Sequence, residues 1–224
     1  STVNVESNNS RLRLTMLNSP NYCTTDWDDN PICANYITGE ISTFERFSYG
    51  IFECNALFDH NLGAFPAFWL MSQIDCSNTF INEIDIVECS VRPKPFGGHK
   101  HVLQNHIFYY PYGCGDPVGH EFNEEFNVDF SISHTYKCIW DPYKITFWID
   151  NIKLKEVENT GQQWYPIHNM NVILSQQVAC GTVHVPQSAY FNWIKVREYF
   201  LAPEITCPDL VCTTATATLD VDPK

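Results

Sequence analysis

Positive charge is scarce in this chain. Thirteen Lys and Arg stand against 26 Asp and Glu in 224 residues, a formal net charge of −13. That balance argues against nucleic acid or an anionic membrane as a partner. No apolar run approaches the ~20 residues that cross a bilayer. No stretch of helical length is amphipathic, and a period of 2 prevails nearly throughout. No CxxC pair or Cys/His spacing suits zinc, and His120-Glu121-Phe122-Asn123-Glu124 lacks the second His of a zinc helix. No metal centre is therefore expected.

What is present points to strands. Hydrophobic residues make up 44% and aromatics 14%, enough for a core. Short alternating runs separated by turns imply an all-β sandwich of two antiparallel sheets. The length suits one large β domain, 1–201. The Thr/Pro-rich stretch 202–224 reads as a tail or a linker toward a further module. Ten cysteines, an even number, argue for disulfides and for a secreted protein. Their pairing does not follow from the sequence, although Pro20 to Pro31 reads as a loop with Cys23 in it and Cys33 just after it, and a disulfide between those two fits. The chain begins at Ser1, which reads as a mature or trimmed form. Further loops are expected at Arg92 to His101, the most basic stretch, and from Cys114 to Asn123.

Asn82-Glu83-Ile84-Asp85-Ile86-Val87-Glu88-Cys89 stands out. It holds three carboxylates in an apolar run that reads as a buried strand, where an unpaired charge is costly. Alternation puts Glu83 and Asp85 on one face. Glu88 falls out of phase unless a β-bulge at Ile86-Val87 supplies one extra residue. With that bulge, Glu83 and Glu88 lie roughly 13 Å apart at the Cα atoms. Side chains leaning together bring the carboxyls to about 5–5.5 Å, the separation used for retaining glycoside hydrolysis. Asp85, between them, can bond the nucleophile and help keep the acid protonated.

Glu83-Ile84-Asp85-Ile86-Val87-Glu88 resembles the E-x-D-x-x-E motif of glycoside hydrolase family 16, the laminarinase, agarase and carrageenase group. Other segments fit in order: Tyr49-Gly50-Ile51-Phe52-Glu53; Gly63-Ala64-Phe65-Pro66-Ala67-Phe68-Trp69-Leu70; His134-Thr135-Tyr136 through Trp140-Asp141-Pro142; Ile145 to Asp150; and Phe191-Asn192-Trp193-Ile194-Lys195-Val196. The likeness runs from about Asn4 to Tyr199. It implies a β-jelly roll with a concave substrate cleft. It also implies a monomer that acts on a polysaccharide and uses no organic cofactor. In many relatives an Asp in the closing strand helps hold a structural calcium. Asn192 stands there in this chain, which argues against calcium.

The resulting expectation is a retaining endo-glycosidase with Glu83 as nucleophile, Glu88 as acid/base and Asp85 assisting. Trp69, Phe65 and Trp164 are candidate sugar platforms. His106 is either a hydrogen-bond partner in the site or a packed core residue. Tyr109, Tyr110 and Tyr112 stack on sugar or pack. Arg92 is placed to meet anionic groups on a substrate. Low positive charge favours a neutral β-1,3-glucan. The Arg92 loop and a Leu174-Ser175-Gln176 segment similar to carrageenases favour a red-algal galactan, of κ-carrageenan or agarose type. A carbohydrate-binding protein without activity is the alternative of another class, against which both glutamates argue.

Overall fold

The computed structural model describes residues 5–8, 11–25, 31–59, 61–72, 81–93, 99–111, 118–126, 128–179 and 183–199. Every regular element among them is a strand, and two antiparallel sheets result. One sheet has eight strands. Its order is β1 (Val5–Asn8), β2 (Arg11–Thr25), β14 (Gln187–Glu198), β5 (Gly50–Phe58), β10 (His134–Trp140), β11 (Lys144–Ile149) and β12 (Ile152–Glu158), with β3 (Pro31–Ile37) paired to β2. The other has six: β4 (Gly39–Ser42), β13 (Met170–Val178), β6 (Ala64–Ser72), β7 (Ile81–Pro93), β8 (His99–Tyr110) and β9 (Val118–Phe126).

Alternation explains how the sheets meet. In β5, Phe52, Cys54, Ala56 and Phe58 are buried while the residues between them are half-exposed. Their inward faces join Tyr136, Trp140 and Phe147 of the same sheet, and Phe68, Ile84 and Val87 of the other. Phe58 stacks on Tyr136 at 5.5 Å between ring centroids. Truncating a ring so enclosed typically costs about 3–5 kcal/mol. Gly50 opens β5 at φ 152°, where an added Cβ would lie 2.5 Å from the Arg197 carbonyl oxygen. Only glycine lets β14 approach β5 there.

Three sequence expectations need correction. The Pro20–Pro31 segment is not all loop: β2 continues to Thr25 and pairs with β3, with Cys23 opposite Cys33 and bonded to it. Pro20 sits where the register shifts between Asn18 and Tyr22, so its missing N–H interrupts no regular pairing. Residues 118–123, expected in a loop, belong to β9, a polar strand at the sheet's edge. The ends of the Arg92–His101 stretch are also strand, with Arg92 opposite Lys100.

The cysteine expectation changes as well. Cys54, Cys89 and Cys138 are free thiols in the core. They occupy inward strand positions and act as small apolar residues. Cys76, Cys114, Cys180, Cys207 and Cys212 lie outside the described residues, as does the 202–224 tail.

Candidate active site

The site is built on an irregularity in β7. Against β6, Asp85 pairs with Trp69, Val87 with Phe68 and Glu88 with Ala67, leaving Ile86 extra. Against β8, Asp85 pairs with His106 and Glu88 with Gln104, so Ile86 and Val87 together oppose Asn105. This is a β-bulge. Ile86 and Val87 are both buried in the core, which is the reason two successive residues can turn the same way. The bulge frees a backbone carbonyl, and Asn105 Nδ2 donates to Ile86 O at 2.6 Å. Beyond it Glu88 regains the phase of Glu83 and Asp85. All three face away from the core, where Ile84 and Val87 point.

Each carboxyl has a distinct environment. Tyr110 Oη donates to Glu83 Oε2 at 2.7 Å. Glu83 also shares a hydrogen bond with Asp85. His106 Nδ1 is joined to Glu88 Oε2 by a short hydrogen bond and lies 3.7 Å from Asp85 Oδ2. Asp85 is 1% exposed. Burial foremost, then the charges of Glu83 and Glu88, hold its carboxyl well above the usual carboxylate range. Burial also pushes Glu83 up, while the bonds from Tyr110 and Asp85 pull it back. The physical picture is a protonated Asp85 donating to an ionised Glu83. The two neighbouring carboxyls are thereby pushed up unequally, Asp85 further than Glu83, the kind of difference that separates a nucleophile from its support.

The walls follow from the register. Phe65, Ala67, Trp69 and Met71 alternate on the same face, opposite Gln177, Ser175, Ile173 and Asn171 of β13. Ser175 faces the site, and Gln176 turns to the other side. Ser175 Oγ accepts from Trp69 Nε1 at 3.2 Å and from Gln177 Nε2 at 3.1 Å, which fixes the indole beside Asp85. Phe65 stands one pair beyond Ala67 on that face, half-exposed. The 159–169 connection turns two of its aromatics inward. Tyr165 is buried, with its Oη donating to Asp141 O at 2.6 Å, and Trp164 packs half-buried against the core. Arg92 lies near the end of β7, in register with Lys100 and four residues past Glu88.

The structure thus brings Glu83, Asp85, Glu88, His106 and Trp69 onto one face and keeps Trp164 with the core. Three contributors were not singled out from sequence as site partners. Tyr110 follows from pairing, because Phe108 opposes Glu83 and Tyr110 is the next residue on that face. Ser175 needed the identity of the neighbouring strand. Asn105 lies opposite the bulge, beside Gln104 and His106, and nothing in β8 alone set it apart.

One ligand atom each from Asp85, Glu88 and His106 lies within 4.8 Å of the others, close enough to grip a divalent cation. The burial that favours the proton on Asp85 weakens it as a ligand, however. The same atoms suit proton handling better.

The fold has relatives among solved structures. A κ-carrageenase from Zobellia galactanivorans matches at a TM-score of 0.64 and 21% identity over 88% of this chain and 82% of its own. The laminarinase catalytic domain of Thermotoga maritima matches at 0.64 and 19%, over 89% and 82%. A Bacillus licheniformis β-glucanase matches at 0.62 and 19%, over 86% and 81%. At these identities the likeness is one of fold, a jelly roll shared by enzymes that cut polysaccharides. No curated protein sequence matches the chain. The model of the glycosyl hydrolases family 16 matches residues 1–195, and the chain belongs to that family of glycoside hydrolases.

Proposed function

We propose that this protein is a retaining endo-β-glycanase that cleaves a neutral polysaccharide, β-1,3-glucan foremost, outside the cell. The observation that carries the reading is the bulged strand, with Glu83 and Glu88 on one face, Asp85 between them, and separate partners in Tyr110 and His106. Glu83 carboxylate attacks the anomeric carbon, and the glycosidic C–O bond breaks as Glu88 delivers its proton to the leaving oxygen. The sugar is then an ester of Glu83. Water attacks the same carbon, Glu88 takes the water's proton, and Glu83 leaves as a carboxylate. Tyr110 and Asp85 donate to Glu83 whenever it is charged. His106 holds the Glu88 carboxyl where the proton must pass. The cystine Cys23–Cys33 supports an oxidising exterior.

A galactan substrate is the second reading, favoured by the in-register cations Arg92 and Lys100. The test is reducing-end release from laminarin, mixed-linkage glucan, agarose and κ-carrageenan. The wild type is expected to act on laminarin. Glu83→Gln should lose roughly a thousandfold or more while its melting temperature holds. Near-normal turnover by Glu83→Gln would remove the assignment. Release from a galactan alone would replace the substrate and keep the mechanism.

A further inference from the structure

The edge strand β4 brings a fourth carboxylate to the working face. Glu40 pairs with Ser175, whose hydroxyl holds the Trp69 indole on that face. A single cross-strand row then runs Glu40, Ser175, Ala67, Glu88, Gln104. Three strand spacings separate Glu40 from Glu88, roughly 14 Å. Glu83 and Glu88 flank the bond to be cut along the strand direction, so a polymer passing between them crosses the strands. Such a chain passes over Glu40.

Among the described residues Glu40 has no hydrogen bond or ion pair. Burial pushes its carboxyl up from the usual range, although the side chain still reaches solvent. Glu40 is exposed on that face, so its carboxylate can accept from a bound sugar hydroxyl in place of water. The strands of this sheet carry no Lys or Arg except Arg92 and Lys100, which pair with each other beyond Glu88 and off the row.

We propose that Glu40 is a specificity residue of this cleft, accepting a hydroxyl from a neutral sugar and turning away a sulfated one at the same place. This rests on the cleft assigned above and names the class of substrate it takes. A carboxylate and a sulfate held within a few ångströms repel strongly enough to cost about tenfold or more in affinity, less at high salt.

The test uses the four-polymer panel, each neutral member paired with its chemically sulfated derivative. Binding is read by affinity electrophoresis on the Glu83→Gln protein, and turnover on the wild type. The expected result is a preference for the neutral member of about tenfold or more. Glu40→Gln should close most of that gap, and Glu40→Arg should reverse it, with salt weakening the effect. A ratio unmoved by Glu40→Gln, a wild type that prefers the sulfated member, or binding to none of the neutral polymers overturns the proposal. The two readings fail separately. Turnover with an unmoved ratio sinks the role of Glu40 and leaves the glycanase. Glu40-dependent binding without any new reducing ends sinks the glycanase and leaves Glu40.

Discussion

Replacing Tyr110 with Phe removes one proton donor and little else. The lost contact is an O–H to carboxylate bond of 2.7 Å to Glu83 Oε2. Bonds of that length to a charged group are among the stronger ones, with a net value of about 1.5–3 kcal/mol. At 1.36 kcal/mol per pKa unit, that corresponds to about one to two units. The sign follows from which form is favoured. Tyr110 stabilises ionised Glu83, so its loss lets burial push that carboxyl further up. The acid limb of kcat/KM, which reports the Glu83–Asp85 pair in the free enzyme, should move to higher pH by that amount. The maximal kcat should fall by about tenfold, because Glu83 departs as a carboxylate in the second half of the cycle. Stability should fall with it, by up to about 1.5–3 kcal/mol where Glu83 is ionised, which lowers Tm by several degrees. The assay is a pH profile on whichever polymer the wild type cuts, with a melt on the same samples. An acid limb that stays in place, with kcat/KM unchanged, would refute the reasoning.

Two further predictions concern the same core and its far side. Burial raises the folded-state value of Asp85 well above 3.8, so its contribution to stability is present below 3.8 and is lost as pH rises through the raised value. Asp85→Asn keeps a donor toward Glu83 but cannot ionise. The wild-type Tm should therefore drop more steeply with pH than that of the variant, and parallel curves would contradict the linkage. At Asn192, the amide donates to Asn55 Oδ1 at 2.5 Å and to Ser133 Oγ at 3.2 Å. A hydrogen-bond donor stands there in place of a carboxylate ligand, so chelation with EDTA should leave Tm unchanged. A fall of several degrees would place a cation in the fold.

The carboxylate strand β7 was legible because two rules conflict in it. Alternation alone sends Glu88 inward, and the cost of burying it beside Ile84 demands an extra residue. The two apolar neighbours Ile86 and Val87 show where that residue goes. The partners of the carboxyls were not legible to the same degree. His106 and Tyr110 sit opposite β7 only in one register, and nothing local to β8 fixes that register. Ser175 and Glu40 come from strands distant in sequence, so their meeting with Trp69 is a property of topology. The cysteines were legible only in part: Cys23 and Cys33 are bonded, and three others are free. Composition reports how many there are, whereas the fate of Cys54, Cys89 and Cys138 was decided by their inward positions on β5, β7 and β10. Likewise the polar run of β9 looks like a loop until β8 offers it an edge to pair with.

The bulge also decides how β7 tolerates changes in length. A residue lost elsewhere between Glu83 and Glu88 must be accommodated by the same irregularity, since the flanking pairs hold both strand ends in place. Removing one of Ile86 or Val87 costs a buried aliphatic and leaves strict alternation, in which the second glutamate still faces outward. Adding a residue there turns it into the apolar interior. The strand is thus permissive to shortening and intolerant of insertion at one point. The spacing between the two carboxyls can be altered in one direction while the sheet on either side of it stays in register.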